Sequence, residues 1–368
     1  LFEVPTGVVA DVYSRRLSII IGMFLIGTGF LVEGSFPNFW MILLAQALWG
    51  VGYTFTSGAT QAWISDEIGE AAAGQAFLRS SQLGKLGGLA GIGFGMLVGQ
   101  VRVSLPIQVG GALVCLVGVF LILFMPDHGF APAPREQRSS WGQMWHTFQD
   151  GLKTVRRRPA LLTILWIGLF FGLYSEGFDR LWTRHLLDQF GGQLAAWFEP
   201  VTWMGLLRAV GMLLSIGAAE LARRTIPSDD HAGIARALLA ASALLIAGLL
   251  GFALAGSLAL ALAGYWLAVV ARSVIGPVYY AWVNRRLDSS VRATVLSMSS
   301  QVDAIGQIAG GPAVGLIGSR ASVRLALVSS ALILSPVLPL FRRSLAQGGE
   351  PALPGPAADQ PPVDDPPG

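Results

Sequence analysis

Two long segments of the chain are near-copies of one another. Residues 80–99 and 299–318 align without gaps, and both begin Ser-Ser-Gln. Further identities follow at Gly87/Gly306, Ala90/Ala309, Gly91/Gly310, Leu97/Leu316 and Gly99/Gly318. The same offset carries Ala62-Trp63-Ile64 onto Ala281-Trp282-Val283, so a helix-loop-helix unit recurs. Each copy is long enough to cross a bilayer, and we therefore predict two like membrane halves of the kind that frame a transport path.

The composition excludes an ordinary soluble domain. Hydrophobic residues make up 53% of the 368 residues and charged residues only 13%. Such a balance is typical of a polytopic membrane protein built only of helices. Apolar stretches predict ten complete spans, at residues 17–32, 39–63, 83–101, 105–125, 160–178, 201–219, 237–255, 258–283, 295–318 and 323–341.

The spans and the polar stretches between them divide the chain into four parts. We predict a membrane bundle at residues 1–125, a cytoplasmic linker at 126–159, a second bundle at 160–343 and a disordered, proline-rich tail at 344–368. Apolar residues in the linker recur at three- and four-residue steps between Trp141 and Val155, which predicts an amphipathic helix on the membrane interface. A site for a partner helix is the alternative.

The basic residues set the orientation. When the loops are sorted by alternation, most arginines fall on the side of the N-terminal stub, the linker and the tail, which we therefore place in the cytoplasm. They do not form one patch with interleaved aromatic residues, so we expect no nucleic-acid partner. With only two lysines and many arginines, alanines and glycines, the chain resembles proteins of GC-rich bacteria. We expect a monomer in the bacterial inner membrane.

A family resemblance rests on the loop before the first complete span. Gly7, Asp11, Arg15 and Arg16 match the signature loop Gly-x-x-x-Asp-(Arg/Lys)-x-Gly-(Arg/Lys)-(Arg/Lys) of the major facilitator superfamily. The second half carries a similar half-signature at Gly217, Glu220, Arg223 and Arg224. The segment Gly306-x-x-x-Gly310-Gly311-Pro312 resembles the glycine-proline motif of the superfamily's drug antiporters.

This resemblance covers roughly residues 1–343 and implies two pseudo-symmetric six-helix bundles. By that alignment the first helix and most of the second lie outside this chain, which implies an N-terminal truncation. It also implies alternating access driven by a proton gradient, without a cofactor. The sequence has no Walker-type phosphate loop, and we expect no enzyme activity. Its four histidines, His128, His146, His185 and His231, fall in predicted loops and suggest no metal site.

The signature loop suggests a cytoplasmic gate. Asp11 and Arg15 are four residues apart, and Asp66 is placed to pair with Arg15 or Arg16. Our hypothesis is that this cluster, with Glu220, Arg223 and Arg224 as its second-half counterpart, latches the cytoplasmic face and opens when the halves rock. The alternative is topology setting plus surface ion pairs, each contributing about 0 to 1 kcal/mol.

Charged residues inside the spans are candidates for substrate binding or proton coupling because their insertion is costly. Arg272 and Asp303 are predicted at similar depths, so an ion pair between them is feasible, either structural or functional. Glu176 lies in the superfamily's seventh helix, which lines the cavity, and is a candidate for attracting a cation or exchanging a proton. A salt bridge at the rim, for which Asp179 and Arg180 are the preferred pair, is the alternative.

Two further sets complete the candidate residues. Gln46, Trp49 and Tyr53 share one helix face that suits a flat, partly apolar solute, although helix packing explains such aromatics equally well. Glycines at spacings of three and four permit close helix approach, either for rocking or for static packing, and they include Gly87, Gly91, Gly306, Gly310 and Gly311, with Pro312 beside them.

These features together predict a secondary transporter of a small organic molecule. By resemblance we expect proton-coupled antiport, with efflux of drug-like compounds. Uptake of a nutrient or metabolite, which a polar and charge-rich cavity would favour, is one alternative. A receptor-like membrane protein that does not transport is the other.

Overall fold

The computed structural model describes residues 3–130, 159–226, 231–286 and 289–346. Within these ranges the regular structure is helical, without strands. The predicted amphipathic helix of the linker and nearly all of the predicted tail lie outside the described residues. The all-α class predicted from composition is confirmed.

The helices are numbered here in chain order. The first six are α1 (Glu3–Val12), α2 (Arg15–Ser35), α3 (Phe39–Thr56), α4 (Ala59–Ile68), α5 (Glu70–Val101) and α6 (Leu105–Phe124). The remainder are α7 (Pro159–Ala195), α8 (Pro200–Thr225), α9 (His231–Leu254), α10 (Leu258–Arg286), α11 (Ser289–Arg320), α12 (Val323–Leu334) and α13 (Val337–Ala346).

The chain divides into two compact units. The first comprises Leu1–Thr147 with Val201–Leu206, and the second comprises Phe148–Pro200 with Leu207–Gly368. In the first unit α2 packs against α3 and α6. In the second unit α9 packs against α10, α12 and α13, while α7 packs against α11.

In the part of the chain that the structure describes, eight spans are long and apolar enough to cross a membrane, whereas the sequence predicted ten. They are α2, α3 with α4, α6, α7, α8, α9, α10, and α12 with α13. The other two predicted spans are α5 and α11, the duplicated pair, each of which forms a helix of 32 residues. These two helices have the length of a span but a lower apolarity, because they are rich in glycine and serine and carry charged residues.

The duplication extends to the helix boundaries. Under the offset that aligns residues 80–99 with 299–318, the start of α3 falls on the start of α10, and both ends of α5 fall on those of α11. The pairing of α2 with α3 also recurs as the pairing of α9 with α10. The repeated parts of the two halves therefore match in the order of their helices as well as in sequence.

Small residues at the same relative positions allow both helix pairs to pack closely. A Cβ atom on Gly29 would lie 2.9 Å from the carbonyl oxygen of Ala45. At the equivalent positions of the second copy, a Cβ on Gly248 would lie 2.9 Å from the carbonyl oxygen of Gly264. Because real Cβ atoms rarely approach a backbone atom so closely, these contacts require small residues.

Two of the predicted spans differ from the structure in where they break or end. The predicted span 39–63 is interrupted, because Gly58 adopts a φ of 75°, which favours glycine, and separates α3 from α4. The predicted span 160–178 continues to Ala195 as α7. His185 consequently lies inside a helix, not in a loop: its ring is buried, with Nε2 3.3 Å from the carbonyl oxygen of Phe252.

Candidate functional site

A cavity of about 410 Å³ lies within the second unit, between α7, α10 and α11. Its lining combines one acidic and one basic residue with tyrosine and serine hydroxyls, an amide and a few apolar groups. The polar members that matter below are Tyr174, Arg272, Tyr279, Ser299, Asp303 and Gln307. A volume of a few hundred cubic ångströms suits a small organic molecule.

Arg272 pairs with Asp179, and not with Asp303 as the sequence suggested. The Arg272 guanidinium donates two hydrogen bonds to the Asp179 carboxylate, with N to O distances of 2.6 and 3.0 Å. Its Cζ atom also lies 5.8 Å from the ring centroid of Tyr174. The two-pronged geometry is the strong form of an arginine–carboxylate contact, and it ties α10 to α7.

Asp303 has an amide partner in place of the expected ion pair. The Nε2 atom of Gln307, one helical turn further along α11, donates to the Asp303 carboxylate at 2.8 Å. Within the described residues Asp303 makes no salt bridge. This half-buried carboxylate therefore lines a cavity of a membrane-spanning unit without a neutralising cation in direct contact.

Glu176 pairs with Arg180, which corrects the predicted rim pair of Asp179 with Arg180. The Arg180 Nε donates to the Glu176 carboxylate at 3.1 Å across one turn of α7. Asp179 and Glu176 thus have partners other than those expected from the sequence. The reason is that α7 continues past residue 178, so that Asp179 lies on the helix face towards α10.

Two tyrosines and a serine form one wall of the cavity. The Tyr279 hydroxyl donates to the carbonyl oxygen of Ile164 at 3.1 Å and lies 3.3 Å from the Ser299 hydroxyl. Tyr174 is almost fully buried beside Arg272. These groups present hydroxyls to the cavity from three different helices.

A second cavity, of about 320 Å³, adjoins the first and shares Arg272 with it. It lies between α7, α8 and α10, also within the second unit. Its lining includes Asp179, Trp182, Arg208 and Tyr265. The Arg208 Cζ atom lies 5.7 Å from the ring centroid of Trp182.

In the first unit the predicted aromatic face is present on α3. Trp49 and Tyr53 stack with their ring centroids 5.7 Å apart, and both are exposed within the unit. The Gln46 side chain already has a hydrogen-bond partner, because its Nε2 donates to the Glu33 carboxylate of α2 at 3.1 Å. Whether this face binds a solute stays a prediction.

The signature loop joins α1 to α2, and its basic residues are held in place. Arg15 forms an ion pair with Asp66 of α4, one of the two pairings that the sequence suggested, and Arg16 donates to the carbonyl oxygen of Ile122. Gly7 lies within α1, and a Cβ there would have no neighbour within 4 Å among the described residues. The Asp11 side chain lies outside the described set.

The end of the first bundle is attached to the same loop. Ser14 caps the start of α2 and its hydroxyl donates to the Asp127 carboxylate at 2.7 Å. The Trp63 indole donates to the carbonyl oxygen of Pro126 at 2.8 Å, and the Gly129 amide donates to Glu67 at 2.9 Å. These contacts fix the start of the linker against α4 and the signature loop.

The half-signature of the second unit forms its own small network at the end of α8. The Glu220 carboxylate accepts hydrogen bonds from both Arg223 and Arg224, each at 2.7 Å. These side chains are exposed within the unit. The gating role of both clusters remains a prediction.

The predicted packing residues fall into two groups. On α11, a Cβ at Gly306 would lie 2.6 Å from the carbonyl oxygen of Leu169, and a Cβ at Gly310 would lie closer still to that of Leu173, so α7 and α11 pack backbone to backbone. Gly311 has room for a Cβ beside Glu176, and Pro312 is exposed. On α5, Cβ atoms at Gly87 and Gly91 would have no neighbour within 4 Å in the described part of the chain.

Sequence reasoning missed Arg208, Glu33 and the partner of Asp179. Arg208 was detectable, because it is a cation inside a predicted span, where insertion costs about 2.5 to 3.5 kcal/mol at the centre of a helix. The partners of Glu33 and Asp179 were not, since they depend on which face each helix turns to its neighbours. Among the described residues no group of three or more His, Cys, Asp or Glu side chains is arranged to hold a metal ion.

Comparisons with known proteins place these features in a family. The family model described as Major Facilitator Superfamily matches residues 1–311. The protein named "Uncharacterized MFS-type transporter YxaM" of Bacillus subtilis (strain 168) is 24% identical over 328 residues, which are 87% of this chain and 77% of that relative.

Solved structures share the fold at low sequence identity. The nucleoside transporter NupG has a TM-score of 0.73 at 12% identity, with 93% of this chain and 87% of that chain covered. A bacterial homolog of the human lysosomal transporter Spinster, in an inward-facing and unoccupied conformation, has a TM-score of 0.67 at 14% identity, with 94% and 86% covered. The chain therefore belongs to the major facilitator superfamily, a family of multi-pass secondary transporters.

Proposed function

We propose that the chain moves a small organic solute with polar groups across the bacterial inner membrane by alternating access, coupled to protons. The observation that carries this proposal is the Asp303 carboxyl group, which lines the larger cavity with Gln307 as its partner and no cation in direct contact among the described residues. α11 has the length of a membrane span, although it is not among the eight more apolar ones, and a carboxylate inside a spanning helix is costly and therefore marks a functional site by default. Reversible protonation would remove its charge while the cavity changes access.

The lining supports a solute that makes hydrogen bonds. Tyr279, Ser299 and Gln307 present donors and acceptors around Asp303, and Arg272 adds a cation whose charge Asp179 balances. A polar, charge-rich cavity favours a nutrient or metabolite over a purely apolar drug. The structural neighbours include carriers named for nucleosides, peptides and fucose, which are all solutes of this kind.

Export of flat, drug-like compounds is the second candidate. It is favoured by Trp49 and Tyr53, whose stacked rings are exposed on α3. Such a face would bind an aromatic solute by stacking, with little demand for hydrogen bonds. Antiport would then exchange the compound for a proton.

The test uses the protein expressed from its complete gene and reconstituted in liposomes with an internal pH dye. Uridine, dialanine, fucose and ethidium are added separately, and both solute flux and internal pH are recorded. We expect flux of at least one solute together with a pH change. Flux of uridine, dialanine or fucose with a pH change supports transport of a polar solute. Flux of ethidium with a pH change supports export of drug-like compounds.

The variant Asp303→Asn separates transport from coupling. We expect it to exchange labelled for unlabelled solute at near the parental rate and to lose accumulation driven by the pH gradient. Asp188→Asn is the matched control, because Asp188 is an exposed acid on α7 that pairs with Arg184 at 3.4 Å. Full gradient-driven accumulation by Asp303→Asn would contradict the coupling role.

A further inference from the structure

The smaller cavity of the second unit carries one uncompensated positive charge. Two guanidinium groups, those of Arg208 and Arg272, and one carboxylate, that of Asp179, line it. Arg272 uses two of its nitrogens on Asp179, so these two charges balance each other. Within the part of the chain that the structure describes, Arg208 makes no ion pair. The cavity therefore has a cation available for an anionic ligand.

Arg208 is held in position without losing its hydrogen-bonding capacity. Its guanidinium lies against the Trp182 ring, with Cζ 5.7 Å from the ring centroid. A cation over an aromatic face is attracted by the ring's π-electrons, while the N–H groups at its edge remain able to donate. Arg208 lies about 12 Å along the axis of α8 from its start at Pro200. This depth separates it from the basic residues near the other end of α8.

An aromatic wall stands beside this cation. The rings of Trp182 and Tyr265 are 4.7 Å apart between centroids, and Phe178 lies 6.1 Å from Tyr265. Each of the three residues is at most 5% exposed, so the wall is fixed by its own packing. All three residues line the cavity, so a ligand bound there would have aromatic carbon atoms beside it.

We infer that this cavity binds a small, flat organic monoanion, whose carboxylate is held by Arg208 and whose body lies along the aromatic wall. A carboxylate matches the fork of a guanidinium, and the pair would neutralise the charge that the cavity now carries. A neutral amide of the same shape should bind more weakly, because it leaves the Arg208 charge uncompensated. A cation should not bind, because Arg208 repels it. The inference rests on the proposed function in that the cavity shares Arg272 with the one that contains Asp303, and it adds the substrate class.

The test is calorimetric titration of the purified complete protein in detergent with three probes of one shape. Benzoate, benzamide and benzylamine differ in charge and share the aromatic ring. We expect benzoate to bind with a dissociation constant at least ten-fold lower than that of benzamide, and benzylamine to give no binding. Equal binding of benzoate and benzamide, or no binding of benzoate to the parental protein, would overturn the inference.

Variants assign the binding to Arg208. Arg208→Gln should raise the benzoate dissociation constant at least ten-fold, and Arg208→Lys, which keeps the charge, should raise it less. Arg184→Gln is the matched control, since Arg184 is an exposed arginine of α7 outside both cavities, and it should bind as the parent does. Unchanged benzoate affinity in a folded Arg208→Gln protein would refute the site. If Arg208→Gln does not fold, the comparison of the three probes on the parental protein still decides.

The outcome can be separated from that of the proposed function. Proton movement driven by a polar solute without any benzoate binding would refute the anion site and leave the transport proposal standing. Benzoate binding that depends on Arg208, in a protein that does not transport, would support the anion site and refute the transport proposal.

Discussion

At the scale of single residues, the ion pair between Arg272 and Asp179 decides the character of both cavities. It fixes the guanidinium that the cavities share and neutralises it, which leaves Asp303 and Arg208 as the charges available for chemistry. Counting residues along each helix placed Arg272 and Asp303 at similar depths. The count could not predict the partner, because depth does not determine the direction in which a side chain leaves its helix.

Replacing one member of the Arg272–Asp179 pair should destabilise the protein more than replacing both, because a single replacement leaves the other charge without a partner. We expect Asp179→Asn or Arg272→Gln alone to cost about 1 to 2 kcal/mol, less than the roughly 3 to 5 kcal/mol of a fully buried pair, because the side chains are 40% and 43% exposed. The double variant should recover part of that loss. Thermal unfolding of all four proteins in detergent gives the coupling, and strictly additive losses would show that the pair contributes nothing as a pair.

The pair of Arg15 with Asp66 tests the gate hypothesis at the same scale. Its side chains are 21% and 27% exposed, so this pair is more buried than that of Arg272 with Asp179, and breaking it should cost at least the about 1 to 2 kcal/mol expected there. We expect Asp66→Asn to insert and to remain folded, with a lower unfolding temperature, but to transport at least ten-fold more slowly. Asp188→Asn provides the comparison for an exposed ion pair outside the signature loop. Flux at the parental rate in Asp66→Asn would show that the Arg15–Asp66 pair has no gating role.

At the scale of helices, the sequence repeat is preserved in boundaries and in packing. The start of α10 and both ends of α11 follow from those of α3 and α5, and small residues occupy matching positions where α2 meets α3 and α9 meets α10. Repetition in the sequence made these elements predictable. The break at Gly58 was less so, since a glycine within an apolar run becomes a break only through its φ angle.

Enlarging a residue at the close contact should therefore be harmful. Gly248→Ala would place a Cβ 2.6 Å from the Ala268 amide nitrogen, and we expect the unfolding temperature to fall by several degrees. Gly29→Ala should act in the same direction in the first unit. Gly217→Ala is the control, because a Cβ there has no neighbour within 4 Å among the described residues. Equal stability of Gly248→Ala and Gly217→Ala would contradict the packing account.

At the scale of the whole molecule, the sequence was sufficient for the class and the approximate positions of the helices. The duplication and the apolarity together indicate a membrane protein of two like halves, and the family model and the solved relatives agree. The candidate site was only partly predictable. Asp303 and Arg272 were found as charges inside predicted spans, and Arg208 was detectable in the same way, whereas the second cavity depends on how α7, α8 and α10 pack together.

The most direct test of the central claim is accumulation of a solute driven by a proton gradient alone. Liposomes that contain the protein expressed from its complete gene receive an imposed pH gradient, without ATP, and the concentration of each labelled solute is followed on both sides. The account predicts that at least one solute accumulates against its own gradient, that a protonophore abolishes the accumulation, and that Asp303→Asn lacks it. Accumulation that persists with the protonophore, or in Asp303→Asn, would contradict the account.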